Sequence, residues 1–293
     1  MLSLHFIYNP VAGNGIATQT FEKMRALLDS RGITYSCATS EYAGHACELA
    51  STAKNGPYDC VVAVGGDGTA REVAIQLFDS EMPFSILPCG TGNDLARALK
   101  IPSEPEAVLN MLVGNTPRTM DAGSLNGKPF INIAGFGFDV DVLMYTERYK
   151  KRFRGSAAYM LGLIHAVKDL RLRRVRIETD EGEVFESNAL VVAAGNGTHF
   201  GGGMNVTPRA DPHDGLFDIC IISDVKRRTV FQVLSRFVKG KHLGLPITSY
   251  FTTTGFTAYS DPPSPLNYDG EITGQTPAVF KIIPNAVRVI SGN

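Results

Sequence analysis

"VVAVGGDGTARE", residues 61–72, decides how the chain is read. Val61, Val62, Ala63 and Val64 are apolar on both faces, as a strand buried inside a parallel sheet should be. A helical stretch follows Thr69, so the segment reads as strand, loop, helix. The loop holds three glycines with an acid among them, whereas a plain turn needs one Gly or an Asp-Gly pair. Glycines let backbone N–H groups approach an anion closely, and the helix that follows offers its positive end. Asp67 would repel a phosphate unless a cation lay between them. Mg²⁺ binds through one or two carboxylates together with substrate phosphates. The acid therefore points to Mg²⁺-nucleotide and phosphoryl transfer. The bland alternative is that Asp67 caps the following helix.

Outward from this loop, strands and helices alternate. "LHFIYN", "ITYSCAT", "DCVVAVGG" and "PFSILP" read as strands, and "TFEKMRALLDSRG", "GHACELASTAKNG" and "TAREVAIQLFDS" as helices. This pattern predicts a parallel sheet with helices on both faces. Ligands settle at the carboxyl ends of such strands. Four loops fall there, carrying Asn9, Pro10, Gly13 and Gly15; Thr39, Ser40 and Gly44; Gly65 to Thr69; and Pro88 to Asp94, with Gly90, Thr91 and Asn93. Together they point to a phosphate-rich ligand, a nucleotide. Neither GxxxxGK[ST] nor a GxGxxG opening a helix in the required context is present, which excludes the two common nucleotide signatures.

Near residue 120 the rhythm changes to hairpins, around Asn126-Gly127 and Glu181-Gly182, with further strands in "GLFDICIIS", "TSYFTTTGFTAYS" and "AVFKIIPNAVRVI". Two helical regions interrupt them. The expected fold is a three-layer α/β nucleotide-binding domain over residues 1–122 and an antiparallel β-sandwich over 123–293, with the last residues returning to the first domain. The 293 residues carry a net charge of −1, which gives no global case for nucleic acid as a partner. No apolar run is long enough to span a bilayer, and the start lacks a basic secretory n-region. Five scattered cysteines without a CxxC argue for a reducing, cytoplasmic setting. One region is strongly biased. Arg148, Lys150, Lys151, Arg152, Arg154, Lys168, Arg171, Arg173, Arg174 and Arg176 face a single acid, Asp169, around the apolar "AAYMLGLIHAV". Such a surface suits phosphate groups or anionic lipid heads, though the same charges also suit solvated helix ends.

Asn9-Pro10 with Gly13, then GGDGT with Glu72, then "PCGTGNDLAR", resemble the diacylglycerol kinase catalytic-domain family, which includes bacterial soluble lipid kinases and the sphingosine and ceramide kinases. "MDAGSLNGKPFINIAGFGFD" (120–139), "TPRADPHDGLFDI" (207–219) and "YDGEI" (268–272) resemble its later motifs in order. The resemblance implies an active site in the cleft between an α/β domain and a β-sandwich. It implies transfer of the γ-phosphoryl of ATP to a lipid hydroxyl with Mg²⁺, diacylglycerol giving phosphatidic acid. Asn9, Pro10, Gly13, Ser40 with Thr39, Gly66 to Thr69, Glu72, Gly90, Thr91 and Asn93 fall on nucleotide-binding positions. Asp67 falls on the catalytic aspartate, Asp121 on a second acid of its network, and Glu271 on the general base with Asp269 beside it. Asp211, Asp214 and the Leu216 carbonyl fall on a structural Mg²⁺ site. The residues alone read Asp269-Gly270 and Asp211 to Gly215 as turns.

One position departs from some bacterial relatives, which carry Lys where this chain has Asn14. Phosphate charge would then be met by backbone, Mg²⁺ or a distant cation such as Lys151, Arg152 or Arg154. The expected partners are ATP and a lipid met by peripheral contact with a membrane; a homodimer is left open. Two other readings share parts of the pattern. An NAD kinase has GGDGT and the two-domain plan, and a non-catalytic nucleotide-binding regulator could use the same scaffold.

Overall fold

The computed structural model describes residues 2–150, 152–153 and 156–292. The first half runs β1 (Ser3–Tyr8), α1 (Ile16–Arg31), β2 (Thr34–Thr39), α2 (His45–Ala53), β3 (Cys60–Gly65), α3 (Asp67–Gln76), β4 (Phe84–Pro88), α4 (Asp94–Ala98) and α5 (Pro105–Gly114). The four strands lie parallel in the order β4-β3-β1-β2. Every residue of β3 is buried, which explains its unbroken apolar run. Phe21, Met24 and Leu28 of α1 and Val73 and Ala74 of α3 close the core. α1 stops at Gly32 with φ 63°, a left-handed C-terminal residue whose N–H donates to the Asp29 carbonyl. The sequence reading missed α4 and α5. α4 spans only 94–98, too short for a period to register, and the signal for α5 was the proline at its first turn.

The second half runs β5 (Arg118–Leu125), β6 (Lys128–Phe130), β7 (Ile133–Gly137), α6 (Phe138–Lys150), α7 (Ser156–Lys168), β8 (Arg173–Thr179), β9 (Val184–Gly195), β10 (His199–Phe200), β11 (Met204–Asn205), β12 (Phe217–Ser223), α8 (Val230–Val238), β13 (Thr248–Thr253), β14 (Gly255–Asp261), β15 (Pro265–Tyr268), β16 (Glu271–Gln275) and β17 (Ala278–Val289). All pairings among these strands are antiparallel, the signature of a sandwich built from hairpins. Alternation explains why β9 and β12 read as solid apolar runs. Val192, Ala194, Phe217, Ile219 and Ile221 face the sandwich core, while Leu190, Val191, Ala193, Cys220 and Ile222 face a third cluster beneath α6, α7 and α8.

β17 joins the halves. Phe280 pairs with Leu125 within the sandwich, and past an irregularity after Ile283, Val289 pairs in parallel with Phe84 of β4. Val287, Val289 and Ile290 are packed into the core of the first half.

Candidate active site

The four loops converge at the carboxyl ends of the parallel strands. Asn9, just past β1, donates through Nδ2 to Thr69 Oγ1 at 3.1 Å, and its Oδ1 accepts the Val11 N–H. Gly13 is left-handed at φ 60°, and a side chain there would run into the Cys89 carbonyl. Thr39 ends β2, and Ser40 is buried with its N–H donating to the Tyr8 carbonyl at 2.7 Å. Glu72 accepts the Gly44 N–H, which fastens the β2 loop to α3. Gly66 and Gly90 face each other so closely that a Cβ on Gly66 would lie 3.1 Å from the Gly90 Cα. Asn93, left-handed at φ 53°, accepts the Gly90 N–H and donates to the Gly90 carbonyl, closing that loop on itself. Thr91 is exposed at its tip. Gly66 and Gly90 are therefore required by close approach between loops as well as by any ligand, whereas a side chain at Gly68 would meet open space.

Asp67 is the first residue of α3, yet its carboxylate caps a different helix. Oδ1 accepts the Leu95 N–H at the start of α4, 3.1 Å away. α3 itself has no side-chain cap. Asp94, also at the start of α4, is buried; its Oδ2 accepts the Gly202 N–H at 2.8 Å, and its Oδ1 has no partner. The two acids feel each other. Burial, then the charge of Asp94, pushes the Asp67 carboxyl above its ordinary value, against the pull of amide donors at Leu95, Asp94 and Asn93. Burial likewise raises Asp94, while the Gly202 and Gly203 amides and Arg97 oppose it. A half-buried and a buried carboxylate near each other, one with an unfilled oxygen, form a donor set that fits a hard divalent cation. Sequence reasoning gave Asp94 no role beyond the loop. Its signal was a second acid in a glycine-rich loop of the same sheet edge. Arg97, at the C-terminal end of α4, donates to the Gly92 carbonyl at 3.1 Å. It is a cation at this rim; of the distant cations expected there, Lys151 and Arg154 lie outside the described residues.

The sandwich reaches this edge through the β15–β16 turn. Asp269 and Gly270 have φ 47° and 88°, the two left-handed residues of a tight hairpin. The Asp269 carboxylate accepts three backbone N–H groups, from Ile131 (2.8 Å), Asn132 (3.0 Å) and Ile133 (3.2 Å). Arg71 Nε stands 3.6 Å away. Burial still pushes this carboxyl up to about 6. With its oxygens occupied, Asp269 anchors the loop between β6 and β7, a positioning role in place of the expected chemical one. Glu271 is 56% exposed; it accepts from Arg71 Nη1 at 2.7 Å and from the Tyr268 hydroxyl at 2.9 Å. Arg71 also lies over the Tyr268 ring, 4.9 Å from its centre. Arg71 follows Asp67 by one helical turn on α3, a rise of about 6 Å, and its guanidinium holds Glu271 from there. The sequence reading missed Arg71 because nothing nearby in the chain pairs with it.

The other expected site residues make contacts of their own. Asp121 is buried, and its oxygens accept the N–H groups of Asn285 and Gly215, both at 2.7 Å. The contacts of its carboxylate run to those two loops, and none runs to Asp67. Asp211 and Asp214 cap their own loop, accepting from His213 and Leu216. Burial, then the charges of Asp211 and Asp121, raises Asp214. Among the described residues no three His, Cys, Asp or Glu side chains gather as metal ligands. Of the ten cations in the positive run 148–176, four among the described residues pair with acids that lie outside it in sequence. Arg173 makes a two-pronged contact with Asp141, Lys150 pairs with Glu147, and Arg174 and Arg176 pair with Glu186, Arg176 also with Glu178.

Residues 3–125 match the diacylglycerol kinase catalytic domain, and residues 132–291 match the YegS C-terminal NAD kinase beta sandwich-like domain. A diacylglycerol kinase of Bacillus subtilis is 28% identical over 293 residues, covering 99% of this chain and 96% of its own. A diacylglycerol kinase of Staphylococcus saprophyticus is 27% identical, covering 98% and 94%. A Bacillus anthracis protein, assigned provisionally as a diacylglycerol kinase, has a crystal structure that superposes with a TM-score of 0.79 at 23% identity over 99% of this chain and 97% of that one.

Proposed function

Since this chain belongs to the diacylglycerol kinase catalytic-domain family, we propose that this kinase transfers the γ-phosphoryl of ATP to a lipid hydroxyl, with diacylglycerol as the acceptor and phosphatidic acid as the product. The observation that carries the reading is the pairing of half-buried Asp67 with buried Asp94, with Asp94 Oδ1 unpartnered at the edge where four glycine-rich loops meet. Asp67 and Asp94 would hold Mg²⁺, which supplies neutralisation of phosphate charge. The backbone of residues 12–15, 66–69 and 90–93 cradles the phosphates, and Arg97 adds a fixed positive charge at the rim. Glu271 has the exposure to meet an acceptor hydroxyl and take its proton, with Arg71 and Tyr268 setting its direction. Asp269 holds the loop that carries this hairpin. The two halves, 1–122 and 123–293, then divide the work into nucleotide and acceptor. Asp121 ties β5 to Asn285 of β17 and to the loop of Asp211 and Asp214, whose carboxylates with the Leu216 carbonyl are the candidate ligands of a structural cation.

The test is purified protein with γ-labelled ATP, Mg²⁺ and diacylglycerol in detergent micelles. Label in chloroform-extractable product supports the proposal. Label in NADP, or ATP bound without transfer to any acceptor, overturns it in favour of the NAD kinase or regulator readings.

A further inference from the structure

The segment around α8 has features the site does not use. Between Asp224 and Asp261 there is no acid, while Lys226, Arg227, Arg228, Arg236, Lys239 and Lys241 all fall there. Among the described residues none of these six forms an ion pair, in contrast to the paired cations of 148–176. α8 buries Val230, Val233 and Phe237 on one side and leaves Phe231 and Val238, both 54% exposed, on the other. Residues 231 and 238 are two turns apart, so the two apolar side chains share a face. Arg227 and Arg228 form the turn that enters α8, at the end where the helix dipole disfavours cations. Helix stability does not account for that placement. α8 also lies close to the site. Gly240 packs against Asn205 of β11, and the β10–β11 hairpin gives its Gly202 N–H to Asp94.

We propose that α8 and its flanking cations form the surface by which the protein docks on an anionic bilayer. Phe231 and Val238 enter the headgroup boundary, and the six cations meet lipid phosphates. Apolar side chains set among unpaired cations favour a bilayer over an acidic protein or nucleic acid, which would engage the charges alone. No helix among the described residues is long and apolar enough to cross a membrane, so this contact is peripheral. The proposal rests on the lipid-kinase reading, because an acyl-chain acceptor is presented at a bilayer. It places that bilayer one hairpin from Asp94.

Sedimentation with vesicles, without ATP or diacylglycerol, tests docking by itself. The full chain should bind phosphatidylcholine vesicles containing phosphatidylglycerol and leave pure phosphatidylcholine, with binding that falls as salt rises. Phe231→Ser with Val238→Ser, and separately Arg227→Glu with Arg228→Glu, should each weaken binding on the order of tenfold. Melting temperature and activity on micellar diacylglycerol should stay unchanged. Arg227→Lys with Arg228→Lys should keep binding. Unchanged binding in both loss variants overturns the proposal, and so does loss in the charge variant alone, which would mark a site for a soluble polyanion. Vesicle binding with no micellar kinase activity would sink the kinase reading and leave the docking surface standing.

Discussion

Arg71→Met removes the one side chain that ties α3 to the β15–β16 turn. Arg71 is 15% exposed and Asp269 5%, so their 3.6 Å pair is largely shielded from water, while Glu271 at 56% is well solvated. Breaking a buried pair by deleting one partner costs about 3–5 kcal/mol. Asp269 keeps three amide donors, so the lower side of that range applies here. The exposed Glu271 pair contributes at most about 1 kcal/mol, and the Tyr268 stack about 0.5–1 kcal/mol. The expected total is about 3.5–5 kcal/mol, which for a chain of this size lowers Tm by about 5–10 °C. Thermal unfolding followed by circular dichroism near neutral pH measures it. In a cycle with Asp269→Asn, the Arg71–Asp269 coupling should be about 1–2 kcal/mol, larger than the Arg71–Glu271 coupling from a cycle with Glu271→Gln. A loss under about 0.5 kcal/mol, or couplings in the reverse order, would show that Arg71 does not hold the halves together.

Asp67→Asn and Asp94→Asn should each abolish turnover in the labelled-ATP assay while the melting curve survives; near-normal rates in either would remove the Mg²⁺ role. Glu271→Gln should lower the rate by roughly two to four powers of ten, and an unchanged kcat would end its assignment as base. Gly13→Ala forces a left-handed residue against the Cys89 carbonyl, so KM for ATP should rise about tenfold or more if this loop cradles phosphate; an unchanged KM would place the nucleotide elsewhere. Asp139 at the start of α6 keeps its carboxylate out of water, Oδ2 accepting from the Asn267 amide and Oδ1 without a hydrogen-bond partner. Burial pushes its carboxyl up to about 6 from 3.8. The folded state therefore favours the proton, and this stabilisation is full below about pH 4 and lost as pH rises to about 6. Asp139→Asn should gain up to about 3 kcal/mol at pH 8 and nothing at pH 4; an equal effect at both pH values would refute a buried charge.

The nucleotide half was legible because its signals are local. Strand period, glycine loops and helix stops all lie within a few residues of each other, and the loop residues Asn9, Gly13, Gly66 and Gly90 meet as the parallel sheet requires. The acids were harder. Asp121 and Asp269 sit in motifs that resemble catalytic ones, but sequence cannot show that backbone amides have already taken their oxygens. Arg71 and Asp94 were overlooked for the converse reason, since their partners lie 200 and 108 residues away. Charge counting at 148–176 overstated the free charge in one part of the run, because Asp141, Glu178 and Glu186 return across the helix and the hairpin to pair with Arg173, Arg174 and Arg176.

The path of β17 governs how the molecule can assemble. Leu4 and Ile290 belong to one core, so the nucleotide half stays unfinished until the acceptor half has been made and its last strand has returned. During synthesis the exposed edge of β4 must wait for Val289, an interval in which an unpaired strand invites foreign pairing. The first half is then not an independent folding unit. Urea should unfold both halves in one transition, with the slowest step the long-range closure of that final strand.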